Sequence, residues 1–515
     1  MKIAVFDIGT NSIHMLIVEI RSDLSYEVLG REKDPARLGD GSFETKRLTA
    51  AAMNRALEVI GRFHKIAKKG GVRRFVATAT SAVREAKNGG EFVAKVFEKT
   101  GMTVNVISGD EEGRLVYLAA RSSIETQGKK ALVIDIGGGS VELIVADGKK
   151  NYLLESYKLG VTRLTEKFIK SDPPTRKELR RLDEHVRKEL KKCVKRIREI
   201  GFSMVIGTSG TMMNLASVIY QEKEKKPLKF VNHYDFSKKD LERVHKKLVK
   251  VRQPARARTP GLDPKRADII LAGSTLVLAL FDMLNAERVT ISYRNIREGM
   301  ILNYIEKNQK GLTCENESFS IRERSVLQLA RRCSYEEPHA WQVARLSQTL
   351  FDVLKPLHGL GAAEREILRY ASLLHDIGSY MSYKRHHKHS QYLIVNSDLD
   401  GFTPEEVDLI GVVARHHRKR IEGDEDFQVN GSRKPSYTAK ALAAILRVAD
   451  GLDRTHFAVV RSLGCKIGPK KVRLTVQPKP RQDTELEIWA ATERADLFEK
   501  VFRKKLEIVP APKAG

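Results

Sequence analysis

Cysteine is scarce in this 515-residue sequence: Cys193, Cys314, Cys333 and Cys465 lie far apart and form no Cys-x-x-Cys pair. A disulfide framework and a cysteine zinc site are therefore not expected. Long apolar runs are missing as well. No stretch approaches the ~18 residues of a membrane-spanning helix, which argues against an integral membrane protein. The first residues, Met1 to Asp7, enter a strand-like run directly, without the long apolar segment and small-residue cleavage site of a secretory signal. These absences predict a cytoplasmic location. Acidic residues are in deficit, 65 Asp plus Glu against 92 Lys plus Arg, for a formal charge of +27. Such an excess points to a polyanionic partner: nucleic acid, an anionic membrane or another phosphate-rich molecule. Aromatics make up only 7% and are sparse in the basic runs. Nucleic-acid readers usually interleave the two, so no specific nucleic-acid partner is expected.

What is present is an apolar fraction of 41%, enough for real cores, and a length that suggests roughly three or four domains. The most informative feature is an internal echo. Ile3 to Ser12 and Leu132 to Ser140 each read as a strand running into an Asp-Ile-Gly turn, followed by a second apolar strand. The spacing from Asp7 to Asp135 is about one domain, which predicts two related α/β halves. The second half also holds a long basic helix pattern over Pro174 to Ile200 and a strand with a glycine turn at Met204 to Thr211. From about Asn308 to Asp453 the pattern becomes almost continuously helical. The tail returns to mixed structure, with strands expected at Val472–Val476 and Glu485–Trp489 and a helix at Asp496–Lys505. The expected domains are residues 1–125, 126–307, 308–455 and 456–515.

The turns carry chemistry. Glycine lets the backbone approach an anion, so that N–H groups can point at phosphate oxygens. Thr10, Asn11, Ser12 and Ser140 add donors around Gly137, Gly138 and Gly139, and Gly207, Thr208, Ser209, Gly210 and Thr211 form a third such loop. An aspartate at a strand end, Asp7 or Asp135, can hold hydrated Mg²⁺ against phosphate oxygens.

This combination resembles the sugar kinase, Hsp70 and actin superfamily. The stretches Ala79 to Ala86, Ile107 to Arg114, Asp135 to Glu142 and Arg297-Glu298-Gly299 look like the exopolyphosphatase / guanosine pentaphosphate phosphatase family (Ppx/GppA). The resemblance covers Met1 to about Tyr304, and more loosely the rest. It implies two ribonuclease-H-like (actin-like ATPase) domains, an all-helical HD-like domain and a small α/β C-terminal domain. It assigns water activation to Glu112, with Glu142 as a second carboxylate. Asp135 and Asp7 would position Mg²⁺, with Mn²⁺ as a substitute and K⁺ as a monovalent companion, and Arg84 would contact the transferred phosphate. Glu111 is the neighbour most easily confused with Glu112. The family further suggests a homodimer.

In the helical region His339, His375-Asp376 and Asp450 fall in the order H…HD…D, which looks like the HD metal-dependent phosphohydrolase fold and a second divalent metal site. His386, His387, His389, His416 and His417 could widen it. The alternative is a structural relative without metal. The run His386 to His389, beside Lys384, Arg385 and Lys388, is expected to be a basic phosphate-facing surface.

Basic residues concentrate at Lys238 to Arg258, along the helix to Arg198, at Arg415, Arg418, Lys419 and Arg420, and at Lys470, Lys471, Arg473, Lys479 and Arg481. A solvated helix face is the usual explanation of any one run; several together fit a path for a long inorganic polyanion. The expected function is processive hydrolysis of the terminal phosphoanhydride of inorganic polyphosphate. The alternatives are hydrolysis of pppGpp to ppGpp, both activities, a second activity in the HD-like domain, or a polyphosphate or nucleotide sensor.

Overall fold

The computed structural model describes residues 1–21, 24–126, 128–228, 230–308, 320–418, 427–429 and 436–511. Cys314, Lys419 and Arg420 lie outside them. The chain divides into a first compact unit, Met1–Ser318, and a second, Phe319–Gly515.

The echo in the sequence is an echo in topology. In the first unit, β1 (Lys2–Ile8), β2 (Ile13–Ile20), β3 (Tyr26–Asp34), β4 (Arg74–Ala79) and β5 (Val104–Val106) form a sheet of order β3-β2-β1-β4-β5. Strands β1, β2 and β3 pair antiparallel; β4 and β5 join in parallel. The second sheet contains β6 (Ala131–Ile136), β7 (Val141–Ala146), β8 (Asn151–Tyr157), β9 (Met204–Thr208), β10 (Asp235–Ser237) and β11 (Arg288–Ile291), in the order β10-β11-β9-β6-β7-β8. It repeats the first pattern with β11 in the place of β5 and β10 added at the edge. Registers correspond too: Asp7 faces His14 across the first hairpin, and Asp135 faces Glu142 across the second.

Strands that are apolar on both faces must be covered on both. On β1, Ala4 and Phe6 enter a core with the helix Ala50–Lys69, whereas Ile3 and Val5 enter another with Ala131, Val133, Leu115 and Met300. That second core joins both sheets to the helices Gly109–Arg121 and Ile296–Lys307. These two helices meet at backbone distance, because a Cβ at Gly299 would overlap the carbonyl of Leu115. Arg114 also donates to Asn303 Oδ1 at 2.7 Å. Side-chain caps start the elements that matter here. Ser108 accepts from the Glu111 N–H, and Asn295 and Glu298 form a capping box at the start of the closing helix.

The second unit packs the helices Ile321–Arg332, Glu337–Val353, Ala362–Leu374, Pro404–Arg415 and Tyr437–Gly451 around one apolar core. It adds a sheet of β12 (Val460–Ile467), β13 (Lys471–Pro478) and β14 (Lys505–Pro510). The strand expected at Glu485–Trp489 is instead part of a helix, Glu485–Glu493. Alternation misled there: Glu487 is the buried residue, accepting from the Thr455 hydroxyl at 2.7 Å, while Leu486 and Trp489 are exposed. Among the described residues, no helix is long and apolar enough to cross a membrane.

Candidate active site

The two Asp-Ile-Gly turns have the same local structure and touch each other. Gly9 N donates to Ser12 O at 3.1 Å, and Gly137 N donates to Ser140 O at 3.0 Å. A Cβ at Gly138 would lie 3.1 Å from Thr10 Cβ, and one at Gly139 would lie 2.8 Å from the Thr10 hydroxyl and overlap Ser81. Glycine is required here by proximity: no side chain fits between the turns. A cavity of about 170 Å³ opens beside Asn11 and Ser12, lined also by Lys33, Lys265, Arg266 and Asp263.

Four carboxylates, Asp7, Glu112, Asp135 and Glu142, lie close enough to shift one another's titration. Glu112 sits in the first turn of the helix Gly109–Arg121 and is buried. Arg84 Nη1 lies 3.0 Å from its Oε2 and donates to Ile107 O at 2.8 Å. Burial pushes the Glu112 carboxyl up to about 7; Arg84 opposes this, and the negative charges of Asp135 and Asp7 add to it. Glu142 is fully buried, and its Oε1 accepts from Ser156 Oγ at 2.8 Å. Its pKa is raised well above the ordinary range, by burial first and then by Glu112 and Asp135. Asp135 accepts a hydrogen bond from Ser209 Oγ, and burial raises it to about 6. Asp7 is raised to about 6 by burial, against the pull of Arg297. Glu111 faces elsewhere, held by Arg114 at 2.7 and 2.8 Å, so Glu111 and Glu112 are distinct in environment.

Thr10, Asn11, Ser12, Gly137, Gly138, Gly139 and Ser140 thus lie on the two abutting turns. The expected third loop is the junction of a strand and a helix: Gly207 and Thr208 end β9, and Ser209, Gly210 and Thr211 begin the helix Ser209–Glu224. Thr208 is fully buried with its hydroxyl on Arg294 O at 2.8 Å, so its side chain serves the fold. Gly210 lies against the Arg266 guanidinium, where a Cβ would overlap. Sequence reasoning missed Lys33, Arg266, Ser156 and the pair Arg297–His14, in which Arg297 Nη1 donates to His14 Nδ1 at 2.9 Å. The Arg297-Glu298-Gly299 motif was a signal for the last of these; the others have no local one.

In the second unit, His339, His375 and Asp450 come together, while Asp376 groups with His386 and His417. The expectation of a histidine surface at His386 to His389 needs correction. His386 and His387 are buried and His389 is half-buried, whereas Lys384, Arg385 and Lys388 beside them are exposed. The path of basic runs is corrected in part as well. In the segment Lys238 to Arg258, Lys238 pairs with Asp282, Arg243 and Lys247 with Glu222, and Arg256 is buried against Asp172. Lys471 and Arg473 both pair with Glu507. Six basic residues of these runs are therefore paired with carboxylates beside them.

A duplicated ribonuclease-H-like pair with facing glycine turns over a buried acid cluster defines a phosphate-handling enzyme of the actin-like architecture. The Ppx/GppA phosphatase family model matches residues 16–308, and that for Ppx/GppA phosphatase domain III matches 321–489; the chain belongs to the Ppx/GppA phosphatase family. It resembles an exopolyphosphatase from Cytophaga hutchinsonii, with 28% identity over 60% of this chain and 98% of that one and a TM-score of 0.57. The Ppx/GppA family member of Aquifex aeolicus is 29% identical over 60% of this chain and 99% of that one, with a TM-score of 0.51. An exopolyphosphatase-like protein at 24% identity, covering 59% of this chain and 98% of that one, shares the fold with a TM-score of 0.55.

Proposed function

We propose that the first unit hydrolyses the terminal phosphoanhydride of inorganic polyphosphate and releases orthophosphate by attack of water activated by Glu112. The observation that carries this reading is the placement of Glu112: buried, shifted up to about 7 and held by Arg84, with Asp7 and Asp135 close enough to shift it. A general base works best when its pKa is near the working pH. The likeness to an exopolyphosphatase supports the choice of substrate.

The residues fit Mg²⁺. Asp7 and Asp135 offer hard carboxylate oxygens; burial raises both, and for Asp7 the negative charges of Asp135 and Glu298 add to it, charge that a divalent cation would offset. Asp7 and Asp135 would hold the ion, whose chemistry when bound is to neutralise charge on phosphate oxygens. Ser209 fixes one Asp135 oxygen. The N–H groups of the two turns, with Thr10, Asn11, Ser12 and Ser140, would bind the non-bridging oxygens of the terminal phosphates. Glu112 would take the proton of the attacking water. Glu142, whose carboxyl is pushed well above the ordinary range by burial and by Glu112 and Asp135, would orient that water. Arg84 would release Glu112 in part to meet the phosphoryl group.

The test is phosphate release from long polyphosphate and from pppGpp, side by side, by wild type and Glu112→Gln. Loss of release in the variant with polyphosphate preferred by wild type is expected. Unchanged release by the variant overturns the role of Glu112, and a clear preference for pppGpp overturns the substrate.

A further inference from the structure

Aromatics make up only 7% of the chain, but one surface of the second unit sets them among basic residues. From Ile377 to Ser397 the sequence contains Lys384, Arg385 and Lys388 and no acidic residue. Between and beside them stand Tyr380, Met381, Tyr383 and Tyr392, each more than half exposed. The helix His386–Val395 sorts its residues by face. His386, His387, Ser390 and Ile394 are buried against the unit. Lys388 and Tyr392, four residues apart, share the outward stripe at a spacing of about one turn, ~5.4 Å. Arg385, also exposed, caps the start of that helix, and the short turn Ile377–Tyr380 leads the other rings up to it.

The fold holds this surface in place. A Cβ at Gly378 would overlap His386 O and Ser390 N, so the turn and the helix meet at backbone distance. Gly378 N also donates to Ser390 Oγ at 2.9 Å. Arg385 has a φ of 62°, in the left-handed region that a residue with a side chain seldom adopts. The chain turns there from the tyrosines into the helix. Arg418, which follows the helix Pro404–Arg415, places its guanidinium 5.4 Å from the centre of the Tyr383 ring. Tyr383 nevertheless remains 69% exposed. Exposed apolar groups gathered in this way mark an interaction site more often than rings scattered singly.

The composition selects the partner. Inorganic polyphosphate would use the charges but has no flat face to offer the rings. A duplex keeps its bases stacked inside. An anionic membrane takes up a helix whose apolar side chains are segregated on one free face. Here Tyr392 shares its face with Lys388, and the opposite face is already buried in the protein. A single strand offers both phosphates and unpaired bases. We propose that this face of the second unit binds single-stranded nucleic acid without sequence preference. Tyr383 and Tyr392 stack on bases, and Lys384, Arg385 and Lys388 meet the phosphates. The surface is a binding site only, independent of the hydrolysis assigned to the first unit.

The test uses the full chain and a short fluorescent single-stranded DNA of mixed sequence, with binding read by anisotropy over a range of salt concentrations. Tyr383→Ala and Tyr392→Ala are each expected to weaken binding by about 5–150-fold. Tyr383→Phe keeps the ring and should leave affinity unchanged. Lys388→Gln should reduce the slope of log affinity against log salt by about 0.7. Binding by basic surfaces elsewhere is common to all these proteins and cancels in the comparison. Unchanged melting temperature and unchanged phosphate release from polyphosphate show that the variants are folded. Affinity that falls in Lys388→Gln but not in either alanine variant makes the face a plain polyanion surface and overturns the proposal. So does equal affinity for the same DNA annealed to its complement, or tyrosine-dependent binding to phosphatidylserine vesicles without binding to the single strand.

Discussion

Arg84 and Glu112, 28 residues apart in sequence, meet with Nη1 of the arginine 3.0 Å from Oε2 of the glutamate. The contact ties the helical turn Ser81–Glu85 after β4 to the turn of helix that carries the proposed base. It also opposes the effect of burial on that base. Glu112→Gln is expected to lower phosphate release by about 10²–10⁴-fold. Because the carboxylate form is the active one, wild-type kcat/KM should rise with pH through a limb near 7. Arg84→Met removes a charge that favours the carboxylate, so the limb should move to higher pH. A pH profile for both proteins checks this; a limb that stays in place would leave Arg84 with substrate contact alone.

The acid cluster predicts a gain in stability on losing a charge. Asp7, Asp135, Glu112 and Glu142 all have folded-state pKa values above the ordinary range, by burial before anything else. The folded state therefore binds more protons than the unfolded one, and the stability this contributes is lost as pH rises through about 6 to 7. In chelator, Asp135→Asn should melt above wild type at alkaline pH, with the gap closing below about pH 5. Calorimetry across pH checks the sign.

Gly299 sets the distance between two helices. A side chain there would meet the Leu115 carbonyl, which belongs to the other helix's backbone and cannot turn aside. Gly299→Ala is expected to destabilise the first unit by about 1–3 kcal/mol. Both tryptophans, Trp341 and Trp489, lie in the second unit. Circular dichroism should therefore register the change while tryptophan fluorescence does not.

The basic run from Lys238 to Arg258 should separate into two behaviours. Arg256 is buried, with hydrogen bonds to Leu248 O, Ala267 O, Val251 O and Asp172. Arg256→Ala should lower stability by about 3–5 kcal/mol, whatever the ionic strength. Lys239, Lys246 and Lys250 are exposed. Reversing these three charges should leave the melting temperature in place and raise KM for long polyphosphate, most at low salt. Unchanged KM at all salt concentrations would remove this face from the substrate's route.

What the sequence made legible is what is local. Asp7, Asp135 and the glycines around them are a contiguous strand-turn-strand signal, and its repetition announced two halves before any contact was known. Glu112 and Glu142 were singled out only by the resemblance of short motifs to a known family, since a glutamate in the first turn of a helix is otherwise explained by the helix dipole. Arg297 reaches His14 across 283 residues, and Lys33 comes to Arg266 and Asp263 only through the fold. The tail shows the converse error. Alternation at Glu485–Trp489 is a strand signal by itself, but Glu487 has a hydrogen-bonding partner inside and Leu486 does not need one outside. Which basic residues are paired was not legible either, because counting residues does not reveal that Glu222, Asp282 and Glu507 lie beside particular lysines and arginines.

The two hairpins differ at one matched position. Opposite Asp135 stands Glu142, an acid; opposite Asp7 stands His14, which burial and Arg297 keep uncharged. Duplication thus produced two like cradles with unlike walls. An unbranched phosphate chain has identical ends and no direction of its own. Bound between these turns it would acquire one, with the end beside Glu142 and Glu112 becoming the scissile end and the other the trailing end. Polarity in the reaction would then come from the protein's broken symmetry, in a substrate that has none.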